Sequence, residues 1–330
     1  MPGHAPERPR IAVFSMGGTI AMSARGEAGV SPGLDARDLL AALPGMETVV
    51  EVEPAALRRA PSVDLSFADV AELADAVRRA FAEGAQGAVV TQGTDTLEEA
   101  AFLLDLLLEP GRPVVVTGAM RNPTLPGADG PANLASALRT AAAPEAEGAG
   151  VLVVMNDEIH AARHVRKTHA HRPSAFASPA AGPLGWIVED RVRLVLKPAR
   201  VLPVLSWRGE APFVPILAIG LGSGPREVEM LAAAKPQGVV IAAAGAGHVP
   251  SSTVVALEAL AARVPVVFAS RTGAGETARS TYGYPGSETD LLQRGLIGAG
   301  GLDPLKARIL LALLLADGAD PSRIAASFAQ

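Results

Sequence analysis

Short, uninterrupted aliphatic runs, each followed by an amphipathic stretch, restrict this chain more than any other feature. Ile11–Ser15, Ala88–Thr91, Val114–Thr117 and Val151–Met155 read IAVFS, AVVT, VVVT and VLVVM. Runs that are apolar at nearly every position fit strands covered on both faces, as parallel strands are. Helical patterns lie between them. Ser66, with Asp69 three residues on, forms a capping-box start. Phe67, Val70, Leu73, Val77 and Phe81 then recur at helical spacing. Thr96 with Glu99 repeats the start signal ahead of AAFLLDLLL. Alternation of this kind predicts an open, mostly parallel sheet.

A second alternation begins after residue 210. Ile216–Ile219, Val239–Ala242 and Val264–Phe268 are strand candidates; Arg226–Ala234, Thr253–Ala262 and Pro304–Ala316 are helix candidates. Residues 197–212 hold three prolines, a tryptophan and little periodicity, so they read as a linker. The expectation is an α/β protein with a larger N-terminal domain, 1–196, and a smaller C-terminal α/β domain, 213–330. A chain of 330 residues fits two domains, because single cores rarely grow beyond ~250–300 residues. The alanine-rich Thr140–Gly150 is expected to be a surface loop.

Composition removes several function classes. There are no cysteines, which excludes disulfides, thiolate nucleophiles and cysteine-ligated zinc. The net charge of −5 gives no footprint for nucleic acid. The N-terminus MPGHAPERPR lacks the basic and apolar pattern of a secretory signal. The longest apolar run, Ile309–Ala316, is too short for a membrane span. A cytoplasmic protein without membrane or nucleic-acid partners is expected.

In open parallel sheets, ligands bind beyond the carboxyl ends of the strands. After the first strand comes Met16-Gly17-Gly18-Thr19-Ile20-Ala21, where paired glycines permit a tight turn and would present the Thr19 hydroxyl. A plain turn is the competing reading, and the full dinucleotide fingerprint is absent. Thr91-Gln92-Gly93-Thr94-Asp95-Thr96 places a hydroxyl and a carboxylate at the positive end of a helix dipole. Capping is the bland reading there; it suffices for Thr96 and stays open for Asp95. A threonine nucleophile needs a base within hydrogen-bond reach, such as histidine or a lysine brought towards neutrality by burial. Lys167 follows the VLVVM strand in the segment HAARHVRKT, although a lone lysine is most often a solvated charge. His160 and His164 are four apart and would chelate a metal if helical. No HExxH glutamate accompanies them, and the segment reads as an extended loop whose histidines, with His169 and His171, are surface residues.

The ordered motifs MGGTIA (Met16–Ala21), TQGTDTLEEAA (Thr91–Ala101), PVVVTGAMR (Pro113–Arg121), ADGPANL (Ala128–Leu134), VLVVMND (Val151–Asp157) and LDPLKARILL (Leu302–Leu311) resemble the bacterial-type L-asparaginase/glutaminase family. The resemblance implies a cofactor-free amidohydrolase, a homotetramer of two-domain subunits, and active sites between paired subunits. It implies hydrolysis of asparagine to aspartate and ammonia through a threonine acyl-enzyme. On this resemblance Thr19 matches the nucleophile of the flexible loop. Thr94, Asp95 and Lys167 match the second threonine with its partners. Ser62 matches a residue holding the substrate carboxylate, with Val63 beside it. Ala119 matches a pocket-lining carbonyl, and Glu288 a glutamate given by a neighbouring subunit.

Departures accompany the match. The glycine-bearing lid, Ala21–Gly33, contains no tyrosine, and the only tyrosines are Tyr282 and Tyr284. Val63 stands where glutamine is common, and Ala246 where an intersubunit asparagine is common. A non-catalytic amino-acid sensor on the same fold, and a glutaminase subunit of a tRNA-dependent amidotransferase, are the alternatives. The latter predicts an extra N-terminal domain, against which the short stretch before the first strand argues. A zinc hydrolase ranks below both.

Overall fold

A computed structural model of the chain describes residues 8–18, 20, 22–24, 30–32, 43 and 45–329. It divides into two compact units, 1–200 and 201–330. The segment between the last strand of the first unit and the first strand of the second, residues 195–215, holds neither helix nor strand.

The first unit is built on one sheet. Its strands are β1 (Arg10–Gly17), β4 (Glu51–Ala60), β5 (Gly87–Thr91), β6 (Val114–Thr117), β7 (Val151–Met155), β8 (Glu158–Ala161), β11 (Gly185–Val188) and β12 (Arg191–Leu194). Their order is β4-β1-β5-β6-β7-β8-β11-β12. The pairs from β4 to β7 are parallel, and the three that follow are antiparallel. Two short antiparallel ribbons stand outside it: β2 (Met22–Ala24) with β3 (Val30–Pro32), and β9 (Arg166–Lys167) with β10 (Phe176–Ala177). Lid residues Gly26, Gly29 and Gly33 lie outside the described residues.

Side chains alternate across a strand, so the apolar runs feed two cores. Ile11, Val13, Val89, Val115, Leu152 and Val154 join one cluster with Leu134, Ala137, Leu138 and Ala141 of the helix Gly130–Ala142. The helices Phe67–Ala82 and Leu97–Leu107 pack against each other and against strands of the sheet. The first opens with the expected capping box: Ser66 Oγ accepts from Asp69 N at 3.2 Å, and Ser66 N donates to Asp69 Oδ2 at 2.8 Å. Arg58 of β4 clamps the same turn through Asp69 at 2.5 Å and through Glu72.

Two local expectations need correction, and one strand was not anticipated. Thr96 precedes the helix Leu97–Leu107 but makes no side-chain cap; its hydroxyl donates instead to Ser62 O at 2.7 Å. Thr140–Gly150 is not a surface loop. The helix runs on to Ala142, a 3-10 turn covers Pro144–Ala146, and Thr140, Ala141, Ala143, Ala146 and Ala149 are buried. Alanine-rich sequence here reflects close packing of the helix end. The long strand β4 went unread because its residues alternate between exposed and half-buried and include Pro54, a residue tolerated on an edge strand.

The second unit carries a four-stranded parallel sheet, β13 (Ile216–Ala218), β14 (Val239–Ala243), β15 (Val266–Ser270) and β16 (Ile297–Gly298), in chain order. The helices Pro225–Ala233 and Val254–Ala261 pack together, and Pro304–Ala316 packs on β13–β15. Asp303 caps the last through Leu305 N and Lys306 N. The expected architecture, a larger mostly parallel N-terminal unit and a smaller α/β C-terminal one, is the one observed. Among the described residues no helix is long and apolar enough to cross a membrane.

Ser66 tests the reading of the first helix. Ser66→Ala should cost about 1 kcal/mol, the usual worth of an N-cap, as a lowered midpoint in urea unfolding followed by circular dichroism. An unchanged midpoint would show that Arg58 alone holds the turn.

Candidate active site

Chain order reverses at β1: β4 lies on one side of it and β5 on the other. Such reversals are where open sheets bind ligands, beyond the carboxyl ends of the strands. The turns after β1 and β5 meet there. Gly17 and Gly18 have φ of 92° and 90°, a region that L side chains rarely adopt. A methyl at Gly17 would lie 2.5 Å from Ala60 O, and one at Gly18 would lie 2.0 Å from Gly93 N. The two glycines therefore let the β1 turn touch backbone on both sides. Ser62 closes the far side of the β5 turn, since a methyl at Gly93 would lie 2.9 Å from its Oγ.

The β5 turn presents Thr94 and Asp95. Thr94 is buried; Asp95 is largely exposed. Lys167, on the ribbon β9, reaches both: its Nζ donates to Thr94 Oγ1 at 2.9 Å and to Asp95 Oδ1 at 2.6 Å. Its side chain is 15% exposed, so it is not the solvated surface lysine of the bland reading. Asp95 is likewise more than a cap, since its carboxylate pairs with this ammonium. Ser62 is 2% exposed, and its Oγ has no hydrogen-bond partner among the described residues. Val63 beside it is 64% exposed, with a side chain that has no polar atom to offer. Ala119, after β6, is buried. The turn that holds it is bracketed by Asp129, which accepts from Met120 N at 3.0 Å and Arg121 N at 2.8 Å. Asn133 Nδ2 donates to Gly118 O at 3.0 Å, and Asn133 Oδ1 accepts from Asn156 N at 2.9 Å.

Thr19 lies outside the described residues. Its neighbours do not. Gly18 rests on Gly93, and Ile20 is buried, within 3.0 Å of where a methyl at Gly130 would stand.

Comparison with known proteins now decides the family. Residues 10–200 match the family described as Asparaginase, N-terminal, and residues 214–328 match the Glutaminase/Asparaginase C-terminal domain. The chain belongs to the asparaginase family. It is 35% identical over 309 residues to an L-asparaginase of Bacillus licheniformis, covering 93% of this chain and 95% of that one. It is 36% identical over 346 residues to a probable L-asparaginase of Deinococcus radiodurans, covering 98% of each. Among solved structures it resembles a probable cytoplasmic L-asparaginase from Campylobacter jejuni, with a TM-score of 0.88, 33% identity, and coverage of 98% of this chain and 100% of that one.

Glu288, the family's expected intersubunit glutamate, belongs to the second unit. It opens the helix Glu288–Gln293 and is fully buried. Its Oε1 accepts from Thr281 N and Tyr282 N, both at 2.7 Å, and its Oε2 lies 3.3 Å from His248 Nε2. Burial works to raise its pKa, but the backbone donors of Tyr282 and Thr281, with His248, hold it below the usual glutamate range. The carboxylate shapes its own turn. Nearby, Tyr282 and Tyr284 stand edge-on to the His248 ring, with centroids 4.9 and 5.6 Å away.

The histidine expectation needs correction. His160 is neither helical nor on the surface: it lies on β8, fully buried, with Nδ1 3.0 Å from Ser178 Oγ. A strand cannot bring His160 and His164 onto one helical face. Sequence reasoning also passed over Glu98. This buried residue in the first turn of the helix Leu97–Leu107 accepts from Lys167 N at 3.3 Å. Its only signal was an acidic residue at a helix start, which dipole compensation explains as well. Asp129 and Asn133 stood inside a quoted motif, without a role assigned to them.

Two outcomes check this geometry. Gly18→Ala places a side chain into Gly93 backbone at positive φ, and should cost roughly 2–5 kcal/mol from backbone strain and overpacking. A variant as stable as the unaltered chain in urea would contradict the contact. Burial of the His160 ring pushes its pKa down to about 4, from 6.5. Between these values the unfolded chain binds the proton and the folded chain does not, so stability falls as pH drops from 6.5 towards 4. The full loss is about 3 kcal/mol. The urea midpoint should fall over that window, and fall less in His160→Gln.

Proposed function

We propose that this chain hydrolyses the side-chain amide of L-asparagine, releasing aspartate and ammonia, without a cofactor. The observation that carries this reading is the three-way contact of Lys167 Nζ with Thr94 Oγ1 and Asp95 Oδ1. The names of its relatives, L-asparaginases along nearly their whole length, agree with it.

A zwitterionic substrate needs an anion-binding corner, a carboxylate for its ammonium, and a nucleophile one short arm away. Ser62 supplies a buried hydroxyl with no competing partner among the described residues, beside Gly93. Asp95 supplies the exposed carboxylate. Thr19 attacks the amide carbon; in the chain it follows Gly18, which packs on Gly93 at the β5 turn. Backbone N–H groups of the glycine turns stabilise the developing oxyanion. The C–N bond then breaks, the amide nitrogen takes up the proton given up by the Thr19 hydroxyl and leaves as ammonia, and Thr19 carries the aspartyl group as an ester. A water beside Thr94 and Lys167 attacks that ester and regenerates the threonine. The Ala119 carbonyl lines the pocket.

The reading extends to a cytoplasmic homotetramer whose paired subunits complete one another's sites. A direct grip of Glu288 on a neighbour's substrate would fall to Oε2, which has no hydrogen-bond partner among the described residues, while Oε1 stays on the N–H groups of Thr281 and Tyr282.

Ammonia release separates the possibilities. The unaltered chain should turn over asparagine faster than glutamine. Lys167→Met and Thr94→Val should each lower kcat by about 10²–10⁴, the range for loss of a group acting on a proton in transit. Thr19→Ala should leave no covalent acyl intermediate in mass spectrometry of quenched enzyme. Asparagine binding without ammonia release would point to a sensor, and full turnover in Lys167→Met would remove the lysine from the mechanism.

A further inference from the structure

Lys167 sits on a very small element. Its ribbon, β9 with β10, pairs only two residues on each strand, Lys167 with Phe176 and Arg166 with Ala177. Thr168 adds two bonds to Ala175 O, from its N–H at 2.7 Å and from its hydroxyl at 2.9 Å. A two-stranded ribbon of this size is marginal by itself in water. Something else must hold the lysine in register with Thr94.

The chain leaves the main sheet at the end of β8, runs through β9 and β10, and rejoins the sheet at β11, from Gly185. His160, the second-last residue of β8, meets Ser178, the first residue after β10, through Nδ1 and Oγ at 3.0 Å. That bond closes the base of the excursion. Both partners are buried, His160 fully and Ser178 to 5% exposure. The Glu158 carboxylate lies 3.3 Å from His160 Nε2, and either tautomer of the ring lets Nδ1 pair with the serine hydroxyl, as acceptor or as donor. At the other end of the ribbon, buried Glu98 accepts the backbone N–H of Lys167 at 3.3 Å. An interior polar pair adds little net stability over apolar packing of equal volume. Its particular contribution is direction, since a hydrogen bond admits one arrangement where packing admits several.

We propose that the His160–Ser178 clasp and Glu98 are positioning residues that hold Lys167 against Thr94 and Asp95. They touch neither substrate nor reacting atoms, and act on the rate through the placement of one ammonium group. A displacement of about 1 Å at a reacting group costs up to about a hundredfold in rate. The inference rests on the reading of Lys167 as a catalytic group.

The test is steady-state ammonia release from asparagine by the full chain. Ser178→Ala deletes one oxygen and should fold. It should lower kcat by about tenfold to a hundredfold and leave KM within about twofold. Glu98→Ala should show the same split, and Glu98→Gln, which keeps an acceptor oxygen, should recover most of the loss. In a Lys167→Met background Ser178→Ala should add no further loss, since two changes acting through one group are not additive. Normal kcat in both Ser178→Ala and Glu98→Ala would overturn the proposal. So would a Ser178→Ala loss of equal size in the Lys167→Met background. Full turnover in Lys167→Met would instead remove the catalytic reading of the lysine. An inactive Lys167→Met beside a fully active Ser178→Ala and Glu98→Ala removes the positioning role alone.

Discussion

The approach of two backbones at Gly18 and Gly93 is the constraint on which the site depends. Neither turn has room for a side chain at the contact, and both glycines of the β1 turn sit at positive φ. The contact draws together the carboxyl ends of neighbouring strands, where β1 and β5 are in parallel register up to Ser15 and Thr91. With those ends pinned, Thr94 and Asp95 project beside the turn that leads into Thr19. The sheet supplies the direction and the glycines supply the proximity.

Around that contact lies a layer of side chains whose work is to hold backbone. Thr96 ties its turn to Ser62 O, Asp129 and Asn133 fix the turn after β6, and Glu98 takes the N–H of Lys167. Each satisfies a buried or half-buried backbone group that would otherwise lack a protein partner. Each also leaves Thr94, Asp95 and Ser62 less freedom to move. Asp95, whose carboxylate stays largely exposed, is the group proposed to meet the substrate's ammonium.

The frame was legible where residues answer to one dominant force. IAVFS, AVVT, VVVT and VLVVM are strands because both faces are buried, and burial writes itself as unbroken apolar sequence. Where a position answers to two forces the reading slipped. β4 is half solvated and carries a proline, so its pattern resembles a loop. Thr96 has a cap's position, but its hydroxyl is drawn to a carbonyl 34 residues away. His160 looked like a surface histidine because nothing local announces Ser178, 18 residues on. Among the site residues, Thr94 and Asp95 could be found from a glycine at a strand end. Lys167 was visible only by its place after a strand, and Glu98 was hidden in a helix start that electrostatics already explains. Tertiary partners at long separation leave no local mark.

That separation has a consequence for assembly. Lys167 meets Thr94 and Asp95 across 73 and 72 residues of chain. Contacts so distant form only after the intervening strands and helices have docked, because closing a loop of that length carries an entropic penalty before any reward arrives. A growing or partly unraveled chain would hold its threonines and its ammonium group apart. The contact proposed to carry the chemistry is thus among the last features of the N-terminal unit to form, and a partly synthesised chain lacks it.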